Sequence, residues 1–181
     1  MNREISNEKK TDVSFKEILI SRDEINSRVK QLGHEISQDY LGRELHLVGV
    51  LNGAFMFLAD LVRNLSIPCQ ICFMQASSYK DKQISSGKVV LMHNLDLSDK
   101  DVLVVEDIFD TGLTIKRIKE DLNIQKPASL EICALLNKKI PDKVPVKVKY
   151  IGFEIENRFV VGYGLDYAEK YRELPHISTL D

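Results

Sequence analysis

The residues best suited to chemistry lie together in one stretch, 102–114, reading VLVVEDIFDTGLT. Residues 102–105 are apolar and mostly β-branched, the character of a short strand buried on both faces of a parallel sheet. Three carboxylates follow, Glu106, Asp107 and Asp110. Then Thr111, Gly112, Leu113 and Thr114 open a helix carrying Ile115, Ile118 and Leu122. Residues 110–114 offer backbone N–H groups, a glycine that permits close approach, and two hydroxyls at a helix N-terminus, which suits a phosphate monoester. Glu106 and Asp107 repel phosphate, but they can accept hydrogen bonds from sugar hydroxyls or hold a divalent cation. Phosphate beside a diol and a cation spells phosphoribose. Taken singly, Asp110 would be an N-cap worth about 1 kcal/mol, and the acidic pair a solvated strand end. Their combination directly after a β-branched strand is far more specific. No G-x-G-x-x-G follows a strand and no Walker A loop occurs, which removes the usual dinucleotide and P-loop alternatives.

Such a turn needs a sheet to carry it. Ser21 and Glu24 form a capping box, and Ile25, Val29, Leu32, Ile36 and Tyr40 then recur at helical spacing. A strand at 44–51 ends in Asn52-Gly53 and precedes an apolar helix reaching about residue 64. Further strands are expected at 67–76, 130–136, 147–153 and 158–163, an apolar run resumes at 89–92, and a polar lead-in covers about 1–16. Alternating strands and helices imply an α/β fold with right-handed parallel connections. Ligands of such sheets bind beyond the carboxyl ends of the strands.

The 181 residues suit one domain, 1–181, with no interdomain linker or internal repeat. A net charge of -2 argues against broad attraction to nucleic acid or anionic membrane. The start of the chain lacks a secretory-type apolar core, and the most apolar window, 47–62, is interrupted by Asn52, Gly53 and Asp60. A cytoplasmic protein is expected. Cys69 and Cys72 form a lone C-x-x-C inside a strand, where residues three apart face opposite sides, so they are expected to be structural thiols.

The 102–114 segment resembles the 5-phosphoribosyl-1-pyrophosphate (PRPP) signature of type I phosphoribosyltransferases. Further motifs, in order, are VGVLNGAFMFLADL at 48–61, SSY at 77–79, LLNK at 135–138 and IGFEIENRFVVGYGLDYAEKYREL at 151–174. Together they resemble the hypoxanthine-guanine phosphoribosyltransferase family, in its short bacterial form, from about residue 18 onward. The resemblance implies a mainly parallel twisted sheet flanked by helices, with a small hood formed by terminal segments and a mobile loop. It also implies transfer of phosphoribose from PRPP to N9 of hypoxanthine or guanine, giving IMP or GMP and pyrophosphate, with Mg2+ as cofactor. The family's habit further implies a homodimer or homotetramer.

Residue roles carry over by position. Asp110 resembles the general acid/base that exchanges a proton with purine N7. Glu106 and Asp107 correspond to the pair at the ribose hydroxyls and magnesium, and Asp110, Thr111, Gly112, Leu113 and Thr114 to the 5′-phosphate loop. Lys138 matches the donor to the purine 6-oxo group, which disfavours adenine. Phe159 matches the aromatic that stacks on the base, and the Val160 backbone reads its edge. Asp166 matches the carboxylate at a second magnesium and at the base's exocyclic position, and Arg172 a pyrophosphate-binding arginine. Asn52-Gly53 falls where the family turns a backbone N–H toward pyrophosphate after a non-proline cis bond. Asn52 stands where a lysine or arginine is frequent, so the backbone role alone transfers. Phe109 replaces an aliphatic residue often present in the signature. The polar stretch 77–88, with a glycine, three lysines and four serines, suits a mobile lid, with Ser78 and Tyr79 at its tip.

Two other classes fit less well. A nucleic-acid-binding regulator that senses PRPP or purines would want a basic face, and need not keep Asp110, Lys138 and Asp166 together. A receiver-type signalling domain wants its acidic pair after the first strand, and has no place for the stretch ending in GLDY.

Overall fold

The computed structural model describes residues 17–77, 88–91 and 96–180. A short strand, β1 (Glu17–Ile20), leads into helix α1 (Arg22–Asp39). The capping box forms as the sequence predicts. Glu24 N donates to Ser21 Oγ at 3.3 Å, and Ser21 N donates to Glu24 Oε2 at 2.8 Å. Ile25, Val29, Leu32, Ile36 and Tyr40 are all buried. The chain continues through β2 (Leu45–Leu51), α2 (Phe55–Arg63), β3 (Cys69–Ser77), β4 (Lys88–Leu91), β5 (Asp101–Phe109) and α3 (Leu113–Asn123). It ends with β6 (Ser129–Lys138), β7 (Tyr150–Ile155), β8 (Val160–Val161) and β9 (Ile177–Thr179).

The main sheet has the order β4-β3-β2-β5-β6-β7. All its neighbours are parallel except β4, which pairs antiparallel with β3 at the edge. Strand alternation sorts the core onto two faces. Leu45, Leu47, Leu103 and Val105 pack with Ile25, Leu32, Phe57 and Leu61 of α1 and α2. Val48, Val50, Val102 and Val104 pack with Ile115, Ile118 and Leu122 of α3. Both faces are covered, which is why these strands are apolar without alternation.

From β2 the chain crosses by α2 to β3 on one side, and from β5 by α3 to β6 on the other. The carboxyl ends of β2 and β5 therefore flank a topological switch point, where sheets of this kind bind ligands.

Three expectations need correction. The strand expected at 102–105 extends to Phe109, because pairing with β6 continues through Glu106↔Ala134, Ile108↔Leu136 and Phe109↔Asn137. The acidic pair is thus held inside a strand and not in a loop. The strand expected at 147–153 begins only at Tyr150. The 158–163 segment yields just Val160–Val161, which joins a separate antiparallel sheet of order β1-β9-β8. That small sheet is built from the chain's terminal segments, as the hood expectation requires. Neither β1 nor β9 was legible, since each is too short to show periodicity and exists only through its partner. The lid expected at 77–88, with Ser78 and Tyr79, lies mostly outside the described residues.

Cys72 is buried on the α3 face and donates to Leu47 O at 3.4 Å, whereas Cys69 packs on the other face. Burial pushes the Cys72 thiol up to about 11, and it raises Cys69 and Cys133 as well. All three are free, and such thiols are inert, as the opposed faces imply.

Candidate active site

The end of β5 divides its side chains between two sides. Glu106 continues the α3-facing row of Val102 and Val104, and lines a cleft of about 150 Å3 with Phe109, Asp110, Thr111, Gly112 and Thr114. It is buried, and its Oε2 has no hydrogen-bond partner. Burial first, and the Asp107 charge second, raise its carboxyl well above the ordinary range. An unpartnered buried carboxyl at the mouth of a cleft is suited to accept hydroxyls.

The cleft's far wall is the turn into α3. Gly112 is the N-cap residue at φ +85°, a left-handed conformation natural to glycine. A Cβ there would also meet Val144 O at 2.9 Å and the Phe109 ring at 3.0 Å. Gly112 supplies no side-chain cap, and Leu113 N donates to Thr111 Oγ only at a long 3.5 Å, which leaves the first turn available to an anion. Thr111 O accepts from Val144 N at 2.9 Å, and that bond holds the loop from outside.

Asp110, half-exposed just past β5, faces Lys138 at the end of β6, with Nζ to Oδ2 at 3.4 Å. The Lys138 side chain is only 11% exposed, so its stem is fixed and its ammonium is aimed at the carboxylate.

Asp107 lies on the other side, against the turn after β2. The Leu51–Asn52 bond is cis, as the resemblance implies. Gly53 follows, and a Cβ there would collide with the Asp107 carboxylate. Burial raises the Asp107 carboxyl to about 6, opposed by hydrogen bonds, including one from Ile108 N at 2.8 Å, and by the Arg172 cation. A Cβ at Gly164 would in turn run into Gly53 O, which brings the segment after β8 onto the same turn. Arg172 donates to Gly164 O at 2.8 Å and pairs with Asp166 at 2.9 Å and Glu169 at 3.2 Å. Asn52 is exposed and offers its carbonyl to Phe55 N at 3.4 Å. Phe159 is half-exposed and meets Tyr167 edge-on, with ring centroids 5.7 Å apart, while Val160 is buried in the small sheet.

A family model described as a phosphoribosyl transferase domain matches residues 21–168. The chain belongs to the phosphoribosyl transferase family. Among its relatives is the hypoxanthine phosphoribosyltransferase of Salmonella typhimurium, 44% identical over 91% of this chain and 94% of that one. The hypoxanthine-guanine phosphoribosyltransferase of Dictyostelium discoideum is 46% identical over 91% and 95%. A solved hypoxanthine phosphoribosyltransferase from Staphylococcus aureus superposes with a TM-score of 0.86 at 43% identity, covering 92% of each chain. A Bacillus anthracis hypoxanthine-guanine phosphoribosyltransferase does so with 0.85 at 41%, covering 92% of this chain and 99% of that one.

For a phosphoribosyl transferase the metal question turns on Glu106, Asp107 and Asp166. Among the described residues, no three His, Cys, Asp or Glu side chains gather closely enough to hold an ion alone. Glu106 and Asp107, expected together at the ribose hydroxyls and magnesium, are successive strand residues sent to opposite sides, and Asp166, expected at a second magnesium, is engaged by Arg172. The donor set still fits magnesium, which takes one or two carboxylates and completes its shell with water and substrate phosphate. Sequence reading missed Gly164, Tyr167 and Lys143 at this site. Gly164 and Tyr167 lie within the 151–174 motif but signal nothing alone, and Lys143 is one of many surface-type lysines in the sequence.

Proposed function

We propose that the chain transfers the 5-phosphoribosyl group of PRPP to N9 of hypoxanthine or guanine, a purine-salvage step. The bond from C1′ to pyrophosphate breaks, the bond from C1′ to N9 forms, and the products are IMP or GMP and pyrophosphate. The observation that carries this reading is the Asp110–Lys138 pair beside the uncapped start of α3. An acid/base and a 6-oxo donor there stand one step from a phosphate cradle.

In this reading the N–H groups and hydroxyls of Thr111, Gly112, Leu113 and Thr114 hold the 5′-phosphate, and Glu106 accepts from the ribose hydroxyls. Asp110 takes the proton from purine N7 as the ring becomes the nucleophile. Lys138 releases its hold on Asp110 and donates to the 6-oxo group, while Phe159 stacks on the base and the Val160 backbone reads its edge. Arg172 and the backbone at Asn52-Gly53 stabilise the departing pyrophosphate. Glu106 and Asp107 would each offer a carboxylate to Mg2+ from their own side of β5, and Asp166 one to a second Mg2+, with water and substrate oxygens completing each shell. When bound, the ion neutralises charge growing on the leaving group.

Residues 1–181 act as one domain in this proposal, in the cytoplasm, as a homodimer or homotetramer without nucleic acid or membrane as partner. Among the described residues, no helix is long and apolar enough to cross a membrane. The test is an assay with PRPP and Mg2+ against hypoxanthine, guanine, xanthine and adenine. Nucleotide is expected with hypoxanthine or guanine and not with adenine. No product with any purine would overturn the reading.

A further inference from the structure

We propose that Lys143 is a positioning residue that holds Asp110 and Lys138 at their working separation. The inference rests on the roles just assigned to those two residues. Lys143 lies outside any strand, in the segment between β6 and β7, with its side chain part-buried. An ammonium has three protons to donate. Here they go to Phe109 O at 2.8 Å, Lys138 O at 2.7 Å and Asn137 Oδ1. The first acceptor is the carbonyl immediately before Asp110, and the second is the carbonyl of Lys138 itself.

The position of these acceptors matters because the ladder between β5 and β6 stops at Phe109↔Asn137. Pairing between these two strands does not reach the next residues, Asp110 and Lys138, although Lys138 still pairs with Ile155 of β7. One cation therefore takes over the join where the ladder ends. Its third acceptor is itself held, since Asn137 Nδ2 donates to Glu154 Oε1 at 2.8 Å and so turns Oδ1 toward Lys143. The ammonium also sits 3.8 Å from the centroid of the Phe109 ring. That contact gives the phenylalanine within the signature a use an aliphatic residue could not supply. Desolvation lowers the Lys143 pKa, and the negative charges of Glu154 and Asp110 oppose that shift. With its protons spent on the protein, Lys143 is not a phosphate ligand.

A lysine that only stabilised the strand ends would change melting temperature and leave the two substrates equally affected. A positioning role predicts a split. Lys143→Met keeps the stem and removes the donors. Its kcat is expected to fall by about tenfold to a hundredfold, as for a small misplacement of reacting groups. KM for the purine should rise, while KM for PRPP should stay within about twofold. A double variant with Asp110→Asn should lose little beyond Asp110→Asn alone, because Lys143 acts through that carboxylate. Should Lys143→Met fail to fold, Lys143→Gln, which retains an N–H donor, carries the same comparisons. An active wild type beside a variant with unchanged kcat and purine KM overturns the proposal. So does a double variant whose losses multiply. A wild type that makes no nucleotide from any purine overturns the site reading itself, which is a separate outcome.

Discussion

The two sides of the β5 end are built in different ways. On the Glu106–Asp110 side, a parallel strand pair and a helix start position every group, and the main-chain ladder fixes their spacing almost to the reacting residues. On the Asp107 side, the partners come from two irregular turns, one after β2 and one after β8. They are joined by backbone approaches at Gly53 and Gly164 and by the Arg172 contacts. In the second turn, Tyr163, Ala168, Glu169 and Tyr171 all have positive φ, so local preference does not favour that path. Its tether is tertiary: Tyr163 Oη donates to Asp60 Oδ2 on α2 at 2.7 Å. Regular structure thus positions the groups assigned to the sugar phosphate and to proton transfer, and tertiary contacts position those assigned to pyrophosphate and metal.

The largest effect should come from the first side. Asp110→Asn is expected to lower kcat by about 10²–10⁴, the usual worth of a general acid/base. Calorimetry should show PRPP binding largely retained, and wild-type turnover would remove Asp110 from the mechanism. Next comes the second side. Gly53→Ala places a methyl on the Asp107 carboxylate. It should cut kcat/KM for PRPP by about tenfold or more, with little change in purine KM. Equal loss on both substrates would mean that the two sides are not separable.

A smaller effect concerns stability. The Asp107 carboxyl rises from 3.8 to about 6 in the fold, so the folded state holds a proton that the unfolded chain releases. This group's contribution to stability therefore falls as pH climbs from about 4 to about 6, and at neutral pH its ionised form costs about 3 kcal/mol. Asp107→Asn should melt higher than wild type at neutral pH, with the gap closing toward pH ~4, while activity is lost. A gap independent of pH would refute the burial of that charge. The smallest effect is remote from both sides. Ser21→Ala removes the capping box of α1 and should cost about 1 kcal/mol with steady-state constants unchanged.

How much was legible follows the same division. Residues 102–114 pointed to a candidate phosphate and diol site because strand character, carboxylates, glycine and hydroxyls are local and contiguous. Glu106 and Asp107 were read as a pair, yet pleating sends them apart, and only the paired register of β5 with β6 shows it. Arg172 and Asp166 were found by resemblance alone. Their contact with each other, and their approach to Asp107, depend on a path no periodicity describes.

The amino-acid sequence by itself determined the alternating α/β order, the α1 cap, the buried strands and the strand–turn–helix proposed to bind phosphate. Each depends on neighbours within a few positions, where side-chain type and period act directly. Tertiary structure decided which ends meet. The switch between β2 and β5, the closeness of Gly53 to Asp107, the small terminal sheet and the three-way Lys143 contact all join residues far apart in the chain. Their energies come from contacts that exist only after the sheet has formed, so no local pattern could record them.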